Sequence, residues 1–174
     1  SFKKGSAPVP SLTTDGAVKA IEFYEKAFAA KVTKKAFSDD DPSKLMYGEI
    51  TIGGNKFFVC DAFSDFGSTC APTSINNRST VTIMLDAASP ADVDKLFQKA
   101  IDAGAKQTMA VQDQFWGERM GMFQDPFGHT WGIVASISKQ RTTEAARKWT
   151  EQQQKSEKKR TAEPDSKGKS KKAK

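Results

Sequence analysis

The sequence predicts an α+β fold in which a strand-helix-strand-strand-strand (βαβββ) module occurs twice, followed by a basic, partly helical to disordered C-terminal tail. Three observations support this prediction. The same order of strand and helix signals appears in residues 8–62 and again in residues 79–138. Corresponding positions of the two modules keep their apolar character at a spacing of 73 or 74 residues. The positive charge of the chain is concentrated beyond residue 138.

The first module begins with a β-prone run that is followed by apolar residues at helical spacing. These residues are Ala17, Ala20, Ile21, Tyr24, Ala27 and Phe28. Asp15 is the predicted N-cap of this helix, which we expect to end near residue 30. The turn signal Gly53-Gly54-Asn55 lies between two β-prone runs and predicts a hairpin. The predicted strands of this module are residues 9–14, 32–37, 45–52 and 56–61.

The second module repeats this order. Ser89 is the predicted N-cap of its helix, because Pro90 follows at a position that tolerates the loss of an N–H group. Gly104 provides the left-handed residue that ends the helix. The apolar face between them comprises Val93, Leu96, Phe97, Ala100 and Ile101. The predicted strands are residues 79–85, 106–111, 117–124 and 129–136, with the turn Asp125-Pro126-Phe127-Gly128 before the last.

The two modules can be aligned residue by residue. A shift of 73 places Tyr24 on Phe97, and a shift of 74 places Gly54 on Gly128 and Phe57 on Trp131. Two such modules form two half-sheets related by a pseudo-twofold axis, each covered on one face by its helix. The other faces are then left to make a cavity or an interface.

Three segments carry a resemblance to a known family. They are VPSLTTDGAVKAIEFYEKAFAAKV (9–32), DVDKLFQKAIDAGAK (92–106) and DQFWGERMGMFQDPFGHTWGIVA (113–135). With these segments the chain resembles the vicinal oxygen chelate (VOC) superfamily, glyoxalase/bleomycin-resistance-like, and within it the PhnB-like branch. The resemblance implies a domain at residues 8–138 and a homodimer. Ala29 departs from that branch, which usually has Gly there.

The resemblance also implies where a catalytic metal would be held. Enzymes of the superfamily bind a divalent ion through His, Glu or Gln side chains on four strands. Here the first strand and the strand at 79–85 offer no such ligand, and the other two positions fall at Phe58 and Gly132. We therefore expect no metal and no cofactor. Enzymatic activity is left open, and the resemblance implies a glyoxalase-type lyase if there is any.

Four scattered side chains are candidates for chemistry at a different position. They are Cys60, Asp61, Glu118 and His129. His129 is the only histidine of the chain, and it follows the glycine of a turn at the start of a strand. It is either a hydrogen-bonded histidine at the surface or rim, or a general base that works without a metal.

Strand alternation predicts a ligand-binding face on the side of each sheet away from its helix. Its mixture of hydroxyl, aromatic and soft side chains is typical of a ligand pocket, although threonines also favour strands for their own sake. Trp116 and Arg119 could clamp a planar or anionic ligand. Alternatively, Arg119 pairs with an acid and Trp116 fills a dimer interface. The predicted ligand-binding residues are Ser11, Phe58, Thr80, Thr82, Trp116, Arg119, Met120 and Thr130.

The charge of the chain divides it into a near-neutral body and a basic tail. Of the formal charge of +6, residues 139–174 hold 13 Lys and Arg against 5 Asp and Glu, which leaves residues 1–138 with 14 against 16. Helix-forming residues at 142–157 precede a low-complexity segment that we expect to be disordered. Two basic clusters at 158–160 and 169–174 resemble a bipartite nuclear-import signal. They could also contact phosphates or act as a solubilising tail.

No apolar run approaches the roughly 18 residues of a membrane span, and no secretory signal opens the chain. We therefore expect a cytoplasmic protein, with import into the nucleus as an alternative if the basic clusters are recognised. Nucleic acid or the import machinery would be bound only through residues 139–174. Three functions remain open at this point: a metal-free VOC protein that binds an unidentified small molecule, a glyoxalase-type lyase with a non-standard site, and a dimeric scaffold with a targeting tail.

Overall fold

The computed structural model describes residues 7–63, 70–137, 144, 147–152 and 154–155. The predicted α+β fold with two βαβββ modules is confirmed. The first module comprises β1 (Ser11–Thr14), α1 (Ala17–Phe28), β2 (Lys31–Phe37), β3 (Leu45–Ile52) and β4 (Asn55–Asp61). The second comprises β5 (Thr82–Asp86), α2 (Pro90–Asp102), β6 (Lys106–Asp113), β7 (Glu118–Gln124) and β8 (Thr130–Ser136).

Both modules form a four-stranded mixed sheet of the same topology. The strand orders are β1-β4-β3-β2 and β5-β8-β7-β6, and the first pair of each order is parallel. Glycines make the predicted hairpin between β3 and β4, because Gly53 and Gly54 have φ of 56° and 82°. This turn fixes a register in which Glu49 lies opposite Phe58.

The N-terminus of α1 corrects one prediction. Gly16 occupies the N-cap position with φ 94°, and Asp15 instead accepts a hydrogen bond from Thr73 Oγ1. The cap comes from the end of β4, where Asp61 Oδ1 accepts bonds from Gly16 N at 2.8 Å and Ala17 N at 2.9 Å. A left-handed glycine turns the chain away from Asp15, so the free N–H groups meet a carboxylate from a different strand.

The other helix ends follow the predictions. Ser89 Oγ accepts a bond from Asp92 N at 3.3 Å at the start of α2, and Gly104 beyond its end has φ 112°. Ala29 ends α1 in the left-handed region with φ 54°. An L-residue there costs about 1–2 kcal/mol, which the packing of the helix offsets.

Aromatic rings join the two modules on the helix side. Helices α1 and α2 contact each other. Trp131 on β8 is fully buried, and its ring centroid lies 5.5 Å from that of Tyr24, 4.9 Å from that of Phe28 and 5.8 Å from that of Phe57. Since these three partners belong to the first module, the core is continuous across the repeat.

Asp125, the first residue of the DPFGHTW segment (125–131), carries a buried carboxylate that accepts hydrogen bonds. This carboxylate is 4% exposed and accepts four hydrogen bonds. Oδ1 accepts from the backbone N of Phe127 and of His129, and Oδ2 from Tyr24 Oη and Trp131 Nε1, all at 2.9 Å. Burial, and next the charge of Asp125, raises the pKa of Tyr24 well above its ordinary value. The segment therefore holds the turn and the modules together.

The described part of the C-terminal segment is helical at residues 144, 147–152 and 154–155. Trp149 stacks on Phe115 with ring centroids 4.1 Å apart. The two basic clusters at 158–160 and 169–174 lie outside the described residues. No helix among the residues that the structure describes is long and apolar enough to cross a membrane.

Candidate functional site

Each sheet has a helix-covered face and a second face, which we call its open face. Phe57 and Val59 are buried on the helix side of β4, and Phe58 and Cys60 alternate to the open face, where they are half-buried. The open face of the first sheet comprises Ser11, Thr13, Thr33, Tyr47, Glu49, Lys56, Phe58 and Cys60. The open face of the second sheet comprises Thr82, Met84, Met109, Met120, Met122, Thr130, Gly132 and Val134.

A polar cluster around Glu49 lies on the open face of the first sheet. Glu49 Oε1 accepts a bond from Thr33 Oγ1 at 2.8 Å. Its Oε2 accepts bonds from Lys56 Nζ at 2.9 Å and Tyr47 Oη at 3.1 Å. The rings of Tyr47 and Phe58 lie beside this carboxylate with centroids 5.2 Å apart. The cluster thus combines an ion pair with an aromatic platform.

Hydrogen bonds dominate the electrostatics of this cluster. The bond from Lys56, followed by the bond from Thr33, lowers the pKa of Glu49 to about 2. The same pair raises the pKa of Lys56. Lys56 donates one of its three ammonium protons to Glu49, and the Lys56 side chain is 46% exposed. The remaining protons are therefore available to a ligand.

The lowered pKa of Glu49 predicts a pH dependence of stability. The stabilisation is fully present above the ordinary glutamate pKa of about 4.5, and it is lost as the pH falls through about 2. We expect Glu49→Gln to flatten the unfolding free energy between these pH values, as measured by urea unfolding at each pH. Lys56→Met should raise the pKa of Glu49 and so narrow the pH range over which the stabilisation is lost. An unchanged acid profile in Glu49→Gln would contradict the assignment.

The open face of the second sheet is rich in sulfur. It holds four of the chain's five methionines, namely Met84, Met109, Met120 and Met122. Met122 pairs with both Met109 and Gly132 across the strands. Gly132 leaves room for Met84, since a methyl group at Gly132 would lie 2.5 Å from Met84 Sδ. Methionine packs adaptably against apolar molecules, so this face is suited to an apolar ligand surface.

The pseudo-twofold axis relates these two unlike surfaces. Gly48 and Gly121, 73 residues apart, both face a helix, because a methyl group at either would lie within 3.3 Å of a helix side chain. The same shift places Tyr47 on Met120 and Glu49 on Met122. The repeat therefore keeps the backbone and changes the chemistry, with an ionic and aromatic surface on one sheet and a methionine surface on the other.

The predicted ligand-binding residues fall into separate groups. Ser11 lies beside Phe58 on the first sheet, and Thr82 lies beside Thr130 on the second. Met120 pairs with Val134 on that same sheet. Thr80 precedes β5, which begins at Thr82 and so starts later than the predicted strand at 79–85.

Trp116 and Arg119 make internal contacts. Arg119 forms a two-pronged pair with Asp94 of α2, at 2.8 Å and 2.7 Å, and a bond to Asp113 at 2.9 Å. It therefore lies on the helix side of β7 and matches the alternative in which it pairs with an acid. Trp116 is 50% exposed and donates from Nε1 to Glu118 Oε2 at 2.7 Å.

Comparisons with known proteins identify the family. A family model of the Glyoxalase/Bleomycin resistance protein/Dioxygenase superfamily matches residues 9–133. The chain belongs to this superfamily. An uncharacterized protein of Mycobacterium tuberculosis is 38% identical over 126 residues, which are 71% of this chain and 71% of that protein.

Solved structures share the fold of this superfamily member. A protein of Pseudomonas aeruginosa has a TM-score of 0.62 at 21% identity, over 77% of this chain and 100% of that one. A PhnB protein of Bacillus cereus has a TM-score of 0.59 at 15% identity, over 75% and 100% of the two chains. The predicted resemblance to the superfamily is confirmed by the family model, and the chain shares its fold with this PhnB protein.

The metal-binding positions implied by the superfamily resemblance do not fit a metal here. On the open faces, β1 offers Ser11 and Thr13, and β5 offers Thr82 and Met84. The corresponding positions on the last strand of each module are Phe58 and Gly132. None of these residues provides the imidazole or carboxylate donors that the resemblance implies. Within the described ranges, no group of three or more His, Cys, Asp or Glu side chains could hold a metal ion.

The scattered chemical candidates have different surroundings. Asp61 caps α1 and also accepts a bond from Leu45 N at 2.7 Å. Glu118 is bonded by Trp116, and His129 Nε2 lies 3.1 Å from the carbonyl oxygen of Thr13. Cys60 Sγ lies 3.8 Å from Thr13 Oγ1. Asp61 therefore has a structural partner at a helix end and His129 has one on the other module, whereas Glu118 and Cys60 contact residues of their own module.

Sequence analysis missed Glu49, the best-connected carboxylate of the open faces. The metal positions that the resemblance implies lie on β1, β4, β5 and β8, and β3 carries none of them. The predicted hairpin could have pointed to Glu49. Its two-residue turn at Gly53 and Gly54 places Thr51 opposite Lys56 and Glu49 opposite Phe58. Alternation then brings Lys56 and Glu49 to the same face.

Proposed function

We propose that this superfamily member binds a small molecule on its open faces without a resident metal. The observation that carries the proposal is the cluster of Tyr47, Glu49, Lys56 and Phe58, in which an aromatic platform lies beside ammonium protons that no carboxylate occupies. A planar ligand with a hydrogen-bond acceptor suits this cluster, because one of the two rings, which are tilted by 44° to each other, can stack on the ligand while Lys56 donates to its edge.

The methionine surface on the open face of the second sheet supports the same proposal. Ligand pockets are mostly apolar with a few polar groups that fix orientation. The methionine surface supplies the adaptable apolar part, and the hydroxyl groups of Thr82 and Thr130, neighbours across β5 and β8, supply polar contacts. The proposed activity is recognition of the molecule, and no step that needs a Lewis acid is part of it, because the donor set is unsuited to one.

A lyase with a displaced site has less support. It requires Asp61, Glu118 and His129 to converge, whereas Asp61 is engaged by three backbone N–H groups at the start of α1 and β3. Catalysis of a glutathione hemithioacetal reaction on addition of zinc, nickel, manganese or iron would favour this second function over the first.

Variants of the platform test the proposal. We expect Phe58→Ala and Lys56→Met each to reduce by at least about fivefold the amount of small molecule that is extracted from the purified protein, since a lost stacking or charged contact is worth about 1–2 kcal/mol. The extract is quantified by liquid chromatography and mass spectrometry. Glu22→Gln, on the exposed side of α1, is the matched control and should retain the molecule. Equal retention in all variants would contradict the proposed site.

A further inference from the structure

A cavity of about 220 Å³ lies at the junction of the modules, where residues of both helices meet the hairpin turn of the first sheet and β5 and β8 of the second. Its apolar wall includes Phe28 of α1, Leu96 of α2 and Ile133 of β8. The turn of the β3–β4 hairpin at Gly53 also lines it, together with Met84 and Asp86 of β5. These residues come from both modules, so the cavity exists only where the two pack together.

The pseudo-twofold axis explains why this cavity is empty of side chains. The shift of 74 places Gly53 on Phe127, and the shift of 73 places Leu96 on Phe23. At the counterpart junction the ring of Phe127 packs edge-on against Phe23, with centroids 6.4 Å apart. Gly53 has no side chain, and apart from its own chain neighbours no heavy atom lies within 4 Å of the position that its Cβ would take. One junction is therefore filled by a phenyl ring, and the other is open.

We propose that this junction cavity binds the aromatic ring of a small molecule, in the place that Phe127 takes at the counterpart junction. An apolar cavity on the order of 150 Å³ is large enough for benzene, so the volume is sufficient for one ring. The site is separate from the cluster around Glu49, none of whose residues lines it, and it shares only Met84 with the methionine surface. Its occupancy does not depend on the proposed function.

The polar lining selects the charge of the ligand. Asp86 provides a carboxylate to the cavity, and Asn55 provides a neutral polar group. No Lys or Arg is among the described residues that line the cavity. An amine attached to the ring can meet the carboxylate while the ring enters the apolar part, whereas a ring that carries a carboxylate is repelled. The ligand class is therefore an arylalkylamine.

Methyl NMR of the full chain tests the site with benzylamine as the probe. We expect shifts confined to the methyl signals of the lining residues Ile52, Met84, Leu85, Leu96 and Ile133, with a dissociation constant of roughly 1 mM for a ligand of this size. Benzyl alcohol should bind about threefold more weakly, and phenylacetate weaker still, because an exposed charge pair contributes up to about 1 kcal/mol. Shifts centred on the open-face methionines Met120 and Met122 would overturn the proposal.

Two variants sharpen this test. Asp86→Asn, at an exposed position, should make benzylamine and benzyl alcohol bind equally. Leu96→Phe copies Phe23 of the counterpart junction and should abolish binding of both by filling the cavity. A preference for benzylamine that survives Asp86→Asn, or undiminished binding to a folded Leu96→Phe, would overturn the proposal. Asp86→Asn keeps the test decisive if Leu96→Phe fails to fold.

Discussion

Asp125→Ala is expected to lower the free energy of unfolding by about 3–5 kcal/mol, because it leaves several buried donors without an acceptor. The carboxylate takes hydrogen bonds from Tyr24 Oη, Trp131 Nε1 and two backbone N–H groups, and it is 4% exposed. For a domain of this size the melting temperature should fall by more than about 10 °C. Thermal and urea unfolding measured by circular dichroism check the result.

Tyr24→Phe is the matched variant for this prediction. It removes one of the four donors and keeps the ring that packs against Phe28 and Trp131. We expect it to cost about 1–2 kcal/mol, well below the cost of Asp125→Ala. Equal stability of Asp125→Ala and the unmodified protein would contradict the view that the DPFGHTW segment holds the modules together.

Asp61→Ala should have the second largest effect, about 2–4 kcal/mol, because three N–H groups lose their acceptor. These are the backbone N–H groups of Gly16 and Ala17 at the start of α1 and of Leu45 at the start of β3. Asp61 is 7% exposed, so water replaces the carboxylate poorly. The free energy of unfolding in urea is the measurement.

Asp15→Ala separates this account from the prediction made from sequence. A true N-cap costs about 1 kcal/mol or more when it is replaced by Ala. Because Asp15 is exposed and bonds only Thr73 in the described structure, we expect its replacement to cost less than about 0.5 kcal/mol. A larger loss for Asp15→Ala than for Asp61→Ala would show that the cap of α1 is assigned wrongly.

Local signals predicted the fold well because the repeat supplied each signal twice. The helical spacing of residues such as Tyr24 and Phe97, the glycine turn at Gly53 and Gly54, and the cap at Ser89 all act within a few residues of chain. The cap of α1 was predicted wrongly because its acceptor, Asp61, is 45 residues away from Gly16. Sequence alone does not reveal which distant carboxylate meets a free N–H group.

The candidate site was predicted only in part, for a related reason. Strand alternation predicted that Phe58, Thr82 and Thr130 lie on the open faces, because the two-residue period of a strand can be seen in a short stretch of sequence. It could not tell that Arg119 would pair with Asp94 of α2, since that contact depends on how the helix packs on the sheet. Glu49 became significant only through the side chains that the hairpin and β2 bring around it.

Native mass spectrometry of the full chain tests the central claim most directly, since one spectrum reports bound metal, bound organic molecule and oligomeric state. The account predicts an organic adduct of a few hundred daltons or less per chain and no stoichiometric metal after dialysis against a chelator. The homodimer implied by the superfamily resemblance would appear in the same spectrum. A zinc, nickel, manganese or iron ion retained at one per chain, with no organic adduct, would contradict the account.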